Sequence, residues 1–471
     1  MNKNKELAKN TAIISLGKIC TQFLSFLLLP LYTAVLSTSQ YGTVDLLMTY
    51  QQLIVCTVFC QIEQAVFRYL IEVRGNNNDS TEIISSCGAF AICQTVVLGF
   101  LFGIVWCLSR YPYILSLYGY IVAVMLSSMM LQTSRGLGDN VTYATGSFIS
   151  AISTILFNVL FLVVFKWNIK GMLLSYLLGN LLCASYVFLK LKIYQLISLK
   201  KVNKIRLKKC LQYSLPLVPN ALSWWVMSAS DRTIVAAILG TSYNGLLTVA
   251  HKFPSAYSTF YTVFNLSWTE SAALHIKDID ADAFFRDVIS RVYRLFVAVA
   301  IGIIACMPFL FNVLIHGNYA EAYYQIPIYM IASVCQVFQG LYSVIYVAEK
   351  KTKEIAKSTV VSAMINCVVH LALINFIGLY AASISTLASY LFLCIWRYFD
   401  LKKYMDVKFD MRLLSSSIAV TIVVCMGYYS KNRYFCVVGL ILAIAYSAFI
   451  NRNILLIMIK SPKKLKDMVK K

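Results

Sequence analysis

The amino-acid sequence predicts an all-α integral membrane protein with about fourteen transmembrane helices. Of its 471 residues, 59% are hydrophobic and 13% are charged, whereas a soluble domain carries roughly 25% charged residues. Apolar runs of about 20 residues recur along the whole chain, and each is long enough to cross a hydrocarbon core of ~30 Å. The sequence lacks the alternating segments of about ten residues that a transmembrane β-barrel would require.

Apolar windows bounded by charged or turn-rich breaks give the position of each helix. No break between two windows is long enough to form a soluble domain of ~50 residues. The predicted helices span residues 11–36, 41–66, 83–108, 113–134, 141–166, 170–192, 213–239, 242–270, 292–315, 322–347, 357–376, 378–398, 411–428 and 433–452.

The net charge of +22 is distributed unevenly along the chain. With a cytoplasmic N-terminus, the inner segments hold 34 of the 42 lysines and arginines, and the outer loops hold five. This asymmetry is the positive-inside pattern, which predicts that both termini lie in the cytoplasm. The basic charge therefore reflects membrane orientation, and nucleic acid is not an expected partner.

The fourteen cysteines lie almost entirely inside predicted helices, and no C-x-x-C pair occurs. The four histidines do not cluster with them in the sequence. Small, apolar packing residues are the better interpretation of these cysteines. We therefore expect neither a metal site nor a cofactor.

An internal similarity at an offset of 203 residues predicts a repeat. The segment "TAVLSTSQYG" (33–42) matches "AAILGTSYNG" (236–245) at alanine, leucine, threonine, serine and glycine positions. An offset that spans six helices maps helices 1–6 onto helices 7–12 in the same orientation, as parallel repeats of transporters do. The sequence thus predicts two six-helix lobes and two additional C-terminal helices.

This repeat gives the predicted domain boundaries. The N-terminal lobe covers 1–192, a basic cytoplasmic linker covers 193–212, the C-terminal lobe covers 213–405, and 406–471 holds the last two helices with a basic tail. Two interpretations of the linker remain open. It either lies as an amphipathic helix on an anionic leaflet or is a solvated loop that orients the protein.

Two charges, Asp231 and Arg232, lie inside the seventh predicted helix, where a central charge costs roughly 2.5–3.5 kcal/mol on insertion scales. Such residues usually face a cavity and have partners. Because Lys252 in the eighth helix lies at a similar depth, we expect Asp231 to pair with Lys252 or Arg232. The alternative is a salt bridge that only holds the helix hairpin together.

Polar side chains recur at helical spacing on the seventh and eighth predicted helices. Facing a wet cavity, they would offer hydroxyl and amide groups to sugars or head groups, although polar stripes also line contacts between helices. The predicted cavity-lining residues are Asn220, Trp224, Ser228, Ser255, Thr259, Thr262 and Asn265.

The cavity is predicted to be cationic. Lys18, Arg232 and Lys252 are the three basic residues left inside helices once the inner segments and outer loops are counted, and together they would bind an anionic head group. Asp231 and Glu63 are the candidate groups for a charge switch or for coupling to H⁺ or Na⁺, because burial and nearby cations act on a carboxyl in opposite directions.

The residues also resemble a known family. The segments "KNTAIISLGKICTQFLSFLLLPLYTAVLSTSQYGTVDLL" and "YSLPLVPNALSWWVMSASDRTIVAAILGTSYNGLLTVAHKFP" are similar to the polysaccharide transporter family, the Wzx-type flippases within the multidrug/oligosaccharidyl-lipid/polysaccharide (MOP) exporter superfamily. The resemblance covers the whole length, since the helix count, the linker position and the last two helices also agree.

The resemblance implies a MATE-like, V-shaped pair of six-helix lobes around a cationic central cavity. It implies export of undecaprenyl-pyrophosphate-linked oligosaccharide repeat units, for O-antigen, capsule or exopolysaccharide, from the inner to the outer leaflet of the bacterial plasma (inner) membrane. Membrane lipids, a polysaccharide polymerase and chain-length machinery are the implied partners. No cofactor is implied.

Three other functions were compared with this expectation. A multidrug antiporter of the same superfamily would favour an anionic cavity, which the three cations argue against. A lipid II flippase has the same charge requirement and remains open. A membrane-embedded polymerase or ligase needs a large external loop, whereas no predicted outer loop exceeds about ten residues.

The predicted topology can be tested by labelling single cysteines from outside intact cells, on a cysteine-free background. We expect reagents to reach positions 240–243 and 430–432, because these fall in outer loops, and not 200–208. Labelling at 200–208 would contradict the proposed orientation.

Overall fold

The structure, a computed structural model, describes residues 26–452 except 277, 350, 404 and 406–409. These residues form helices and short connections, and no strand occurs among them. The helices are α1 Leu29–Val35, α2 Thr38–Val58, α3 Ile62–Glu72, α4 Asn77–Ser109, α5 Ile114–Leu137, α6 Asn140–Asn158, α7 Asn168–Lys190, α8 Lys204–Ser214, α9 Leu217–Ile238, α10 Thr241–His275, α11 Ala281–Leu314, α12 Ala322–Ala348, α13 Thr352–Ile377, α14 Tyr380–Leu401, α15 Met411–Ser430 and α16 Arg433–Ile450.

Several helices begin where the sequence supplies a capping residue. The side-chain oxygen of a hydroxyl, carboxylate or amide residue before the first turn accepts hydrogen bonds from backbone N–H groups that have no partner within the helix. Ser37 and Gln40 form a reciprocal capping box at α2. The other caps of this kind are Asn76, Asp139, Asn203, Asp410 and Asn432.

The all-α membrane class is confirmed. Among the described residues, nine helices are long and apolar enough to cross a membrane, or ten if the bent pair α2–α3 forms one span. This group omits α9, α10 and α14, which are richer in polar residues. The total of fourteen spans stays a prediction.

The chain divides into two compact units. The first comprises Met1–Val249 with Gly317–Tyr319, and the second comprises Ala250–His316 with Ala320–Lys471. This division falls inside α10. The predicted lobe boundary at the linker therefore stays a prediction, and each unit is described by itself.

In the first unit, the beginnings of α2 and α10 touch each other through glycines. A Cβ atom on Gly42 would overlap the carbonyl oxygen of Thr241, and one on Gly245 would overlap that of Thr38. Gly42 and Gly245 are 203 residues apart, and so are Thr38 and Thr241. Such a self-complementary contact is what a local two-fold relation produces, and its offset equals that of the sequence similarity.

Polar groups hold this close contact together. The Asn244 side chain donates a hydrogen bond to the Gly42 carbonyl oxygen at 2.8 Å, and the Ser39 and Thr241 hydroxyls lie 2.9 Å apart. With no side chain at either glycine, the backbones approach closely enough for these bonds, as small residues allow in membrane helix pairs.

In the second unit, α15 is attached to α12 by a reciprocal tyrosine pair. The Tyr323 hydroxyl donates to the Tyr428 carbonyl oxygen at 3.1 Å, and the Tyr428 hydroxyl donates to that of Tyr323 at 2.6 Å. The two rings stack with centroids 4.0 Å apart. Each buried hydroxyl thereby finds a partner inside the protein.

Replacing Gly245 by alanine tests the glycine contact. Because the added methyl group would overlap a backbone oxygen, we expect Gly245→Ala to lower the melting temperature in detergent, with an overpacking cost of about 1–3 kcal/mol. Gly103→Ala is the matched control, since its Cβ meets no atom within 4 Å and alanine favours a helix by up to about 1 kcal/mol. Equal melting temperatures for the two variants would contradict the contact.

Candidate functional site

An ion pair between α9 and α2 forms the centre of the candidate site in the first unit. The Arg232 Nε atom lies 2.8 Å from Asp45 Oδ2, with the two side chains 20% and 15% exposed. Asp231, the preceding residue, is only 3% exposed. A charged cluster thus sits largely buried within helices that are part of a membrane fold.

Arg232 pairs with a carboxylate on another helix, a partner that the sequence did not indicate. The expected pairing of Asp231 with Lys252 or Arg232 stays a prediction. Sequence reasoning missed Asp45. The signal was available, since Asp45 is a charged residue inside the predicted span 41–66 and such residues are functional candidates by default.

Two tryptophan side chains lie about two turns before Arg232 on α9. The Trp225 Nε1 atom donates to the Thr49 carbonyl oxygen of α2 at 3.0 Å, which ties the two helices together beside the charges. Trp224 is 45% exposed, and Asn220 is exposed as well. The side chain of Ser228 lies outside the described residues. The cavity-lining role of these residues stays a prediction.

Buried tyrosines pack near Asp45, on the side of the glycine contact. Tyr41 lies one turn before Asp45, with its ring centroid 5.6 Å from that of Tyr32 and 6.3 Å from that of Tyr319. The Tyr319 hydroxyl donates to the Leu36 carbonyl oxygen at 3.0 Å. This aromatic layer and the glycine contact close the same end of the first unit around the charges.

Glu63 lies at a break between α2 and α3. The two helices are bent by 53°, and Cys60 and Gln61 between them adopt left-handed backbone angles, with φ of 52° and 53°, which are uncommon for residues other than glycine. Glu63 is in the first turn of α3. The structure does not join it to the Asp45–Arg232 pair, so its coupling role stays a prediction.

The other two predicted cations are not brought into this cluster. Lys18 lies outside the described residues. Lys252 belongs to the second unit, on α10, where the ring of the preceding His251 lies 4.1 Å from that of Tyr329. The shared cationic cavity of Lys18, Arg232 and Lys252 therefore stays a prediction.

The part of α10 in the second unit has two different faces. Tyr257 and Trp268 are buried and donate to the Phe296 and Leu341 carbonyl oxygens at 3.2 and 3.4 Å. The predicted polar stripe lies elsewhere on the helix: Ser255 and Thr262 are exposed, whereas Thr259 and Asn265 are half-buried. Asn265 accepts a hydrogen bond from Tyr261 at 2.9 Å. The cavity-lining role of this stripe stays a prediction.

Arg397 of α14 is a further buried cation. It lies at the end of the predicted span 378–398, and the sequence analysis counted it among the basic residues of the inner segments. It is only 2% exposed. Its guanidinium donates to Ser358 and Thr359 at 3.2 and 2.9 Å, and to Gln339 and Ser343. These neutral acceptors on α12 and α13 satisfy the buried donors, so Arg397 connects three helices.

The second unit also contains an apolar cavity of about 560 Å³. It is formed by α11, α12, α14 and α15, and its walls include Ile301, Val334, Leu391 and Ile418. Ligand pockets are typically about 300–1,000 Å³ and mostly apolar. The size and lining suit a hydrocarbon chain. No group of three or more His, Cys, Asp or Glu residues that could hold a metal occurs in the described part of the chain.

Comparison with known proteins adds a family and a fold. The sequence profile of a family described as "Polysaccharide biosynthesis protein" matches residues 7–268. No curated protein sequence matches the chain significantly.

Three solved transporter structures are similar to the chain. Lipid II flippase MurJ in an inward closed conformation is 14% identical, with a TM-score of 0.69 over 95% of this chain and 100% of that one. An inward-facing MATE family multidrug resistance transporter of the MOP superfamily is 10% identical, with a TM-score of 0.67 over 83% and 98%. A MOP superfamily transporter from Pyrococcus furiosus is 11% identical, with a TM-score of 0.56 over 84% and 96%. At these identities the likeness shows a MOP-type membrane fold.

A double-mutant cycle tests the Asp45–Arg232 pair. Breaking a fully buried pair costs about 3–5 kcal/mol, and the partial exposure of this one lowers the cost. We expect Asp45→Asn and Arg232→Gln each to lower the melting temperature in detergent, and the double variant to lose less than the sum of the two.

The exposed Arg68–Glu72 pair of α3 is the matched control. Its charged atoms lie 2.9 Å apart, a distance similar to that of the buried pair, but both side chains are nearly half exposed, so we expect about 0–1 kcal/mol there. Additive losses at Asp45 and Arg232 would show that the two charges do not interact.

Proposed function

Because the chain belongs to the polysaccharide biosynthesis protein family, we propose that it is a flippase for lipid-linked oligosaccharides. Its substrate is an undecaprenyl-pyrophosphate-linked repeat unit of O-antigen, capsule or exopolysaccharide. The protein moves this lipid from the inner to the outer leaflet of the bacterial plasma membrane by alternating access. It is a transporter and not an enzyme, and both termini lie in the cytoplasm.

The observation that carries this proposal is the largely buried Asp45–Arg232 pair. A guanidinium group binds phosphate oxygens through two parallel charge-assisted hydrogen bonds, which are strengthened in surroundings of low dielectric constant. The Arg232 side chain remains one-fifth exposed, so a pyrophosphate group can reach it and displace Asp45. The carboxylate thus holds the cation in place until the substrate arrives.

The remaining parts of the substrate match surfaces of the second unit. The apolar cavity of about 560 Å³ takes part of the polyprenyl chain, since burying hydrocarbon is favourable. The exposed hydroxyls of Ser255 and Thr262 on α10 offer hydrogen bonds to sugars. Lys252 and Lys18 supply further positive charge for the pyrophosphate.

Coupling to an ion gradient is assigned to carboxyl groups. Asp231 takes up H⁺ or Na⁺ when the pyrophosphate binds the neighbouring cation. Burial and nearby positive charge act in opposite directions on the Asp231 carboxyl, and pyrophosphate binding changes their balance. Glu63, beside the break between α2 and α3, is the second candidate. Ions are often coordinated at such interrupted helices in transporters.

Complementation of a strain that lacks its own flippase tests the proposal. We expect Lys18→Gln, Arg232→Gln and Lys252→Gln each to lower surface polysaccharide, normalised to the amount of folded protein in the membrane, about tenfold or more, because a hydrogen bond to a charged group contributes about 1.5–3 kcal/mol. Asp231→Asn should fold and retain slow export.

Lys166→Gln is the control, since Lys166 is an exposed residue between α6 and α7 and export should not change. Normal export by all three cation variants would refute the binding role. Rescue of a strain that lacks its lipid II flippase, without rescue of polysaccharide export, would identify lipid II as the substrate instead.

A further inference from the structure

The linker between α7 and α9 is attached to the first unit by its polar groups. The backbone N–H groups of Ser198 and Asn203 donate to the hydroxyls of Ser85 and Ser86, each at 2.9 Å. Arg206 Nη2 lies 3.3 Å from a carboxylate oxygen of Asp79. All three partners belong to the first three turns of α4. The linker is therefore held against α4 by several polar contacts.

Glu82 adds a second acidic anchor to the same attachment. It lies 3.5 Å from the Arg206 guanidinium and accepts a hydrogen bond from the Asn203 side chain at 2.5 Å. The Lys201 ammonium also donates to the Asn78 side chain of α4 at 2.8 Å, and Ile193 and Cys210 are fully buried. These side chains form the inward face of the linker.

Large apolar side chains occupy much of the outward face of this linker. Leu199 is 85% exposed and Ile205 is 70% exposed, and Tyr194 and Ile197 are about half exposed. We call this face, with its lysines, the linker surface. A segment that packs on a protein from water normally turns its large apolar side chains inward, whereas here several of them remain exposed beside the polar attachment.

The charge of the linker surface is entirely positive. Residues 190–214 contain eight lysines and arginines and no aspartate or glutamate. The exposed lysines among the leucine and isoleucine side chains are Lys192, Lys200, Lys201, Lys204, Lys208 and Lys209. Apolar side chains with interspersed lysines are typical of segments that lie in a membrane interface.

The position of the linker brings this surface to the edge of the bilayer. It follows the end of α7 at Lys190 and packs on the beginning of α4 at Asn77, and both helices are long and apolar enough to span a membrane. Its outward face therefore lies at the depth of the head groups, where side chains of both kinds find partners.

We propose that the linker surface binds anionic phospholipids of the bilayer. Leu199 and Ile205 insert between the acyl chains, and the surrounding lysines bind the phosphate groups, to which juxtamembrane basic segments are attracted. This role goes beyond the proposed transport function and does not depend on which molecule is exported. It concerns the lipids that surround the protein.

Photo-crosslinking of the full-length protein in vesicles tests this proposal. The photoreactive residue p-benzoylphenylalanine replaces Leu199, and the vesicles contain phosphatidylcholine either alone or mixed with phosphatidylglycerol. Mass spectrometry identifies the adducts. We expect lipid adducts at position 199, with phosphatidylglycerol enriched several-fold over its share of the mixture.

Position 376 is the matched control. Phe376 is also 85% exposed and lies on the spanning helix α13, but we expect its adducts to follow the lipid composition. A variant with Lys200→Gln, Lys204→Gln and Lys208→Gln should lose the enrichment at 199 and leave the adducts at 376 unchanged, which also shows that it is folded.

Three results would overturn the proposal. Adducts at 199 with another protein would identify a protein partner for this surface. Absence of lipid adducts at 199, with normal adducts at 376, would place the surface in water. Lipid adducts at 199 that match the composition of the mixture would remove the anionic preference.

Discussion

Hydrocarbon offers no hydrogen-bond partner, so every polar side chain inside the membrane must find one within the protein. The two buried arginines meet this constraint in different ways. Arg397 is enclosed by neutral hydroxyl, amide and backbone carbonyl groups from two other helices, so its charge is shared among several fixed acceptors. Arg232 has the carboxylate of Asp45 and keeps a fifth of its side chain exposed. The first arrangement fixes helices, whereas the second can exchange its partner for an anionic ligand.

The position of the Asp45–Arg232 pair depends on the glycine contact between α2 and α10. Because the two backbones approach without side chains between them, α9, which ends just before α10, is held beside α2. The Trp225 hydrogen bond to Thr49 continues the same attachment past the charges. The glycine contact joins the beginnings of two similar helices and thereby aligns Asp45 with Arg232. Neither residue has a matching charged residue 203 positions away in the other repeat.

The protein presents three kinds of surface to lipid. Its spanning helices have exposed apolar side chains, the cavity of the second unit can receive a hydrocarbon chain, and the linker surface combines apolar groups with lysines. The linker is oriented by its attachment to α4, where the Asp79 and Glu82 carboxylates bind the arginine and Asn78 binds Lys201. Burial of Ile193 and Cys210 contributes to the same attachment, and Leu199 and Ile205 remain exposed.

The sequence by itself determined the membrane class, most helix positions and the repeat. The predicted ranges 322–347 and 433–452 agree with Ala322–Ala348 and Arg433–Ile450. The length of an apolar run is a local property of the sequence and can be read without tertiary information. The offset of 203 residues also reappeared in the glycine contact. The range 41–66 was predicted as one helix but is broken at Cys60 and Gln61, where no glycine or proline marks the bend.

Only the tertiary structure decided which charges meet. Asp45 and Arg232 are 187 positions apart, and nothing local to either residue indicates the other. Arg397 looked like an inner-loop residue until its neighbours on α12 and α13 were placed around it. Because burial of a polar residue without a partner costs free energy, a polar residue in a span indicates that it has a partner. The packing between distant helices determines which residue that partner is. The sequence therefore identified the charged helix α9, and the fold identified its ion pair.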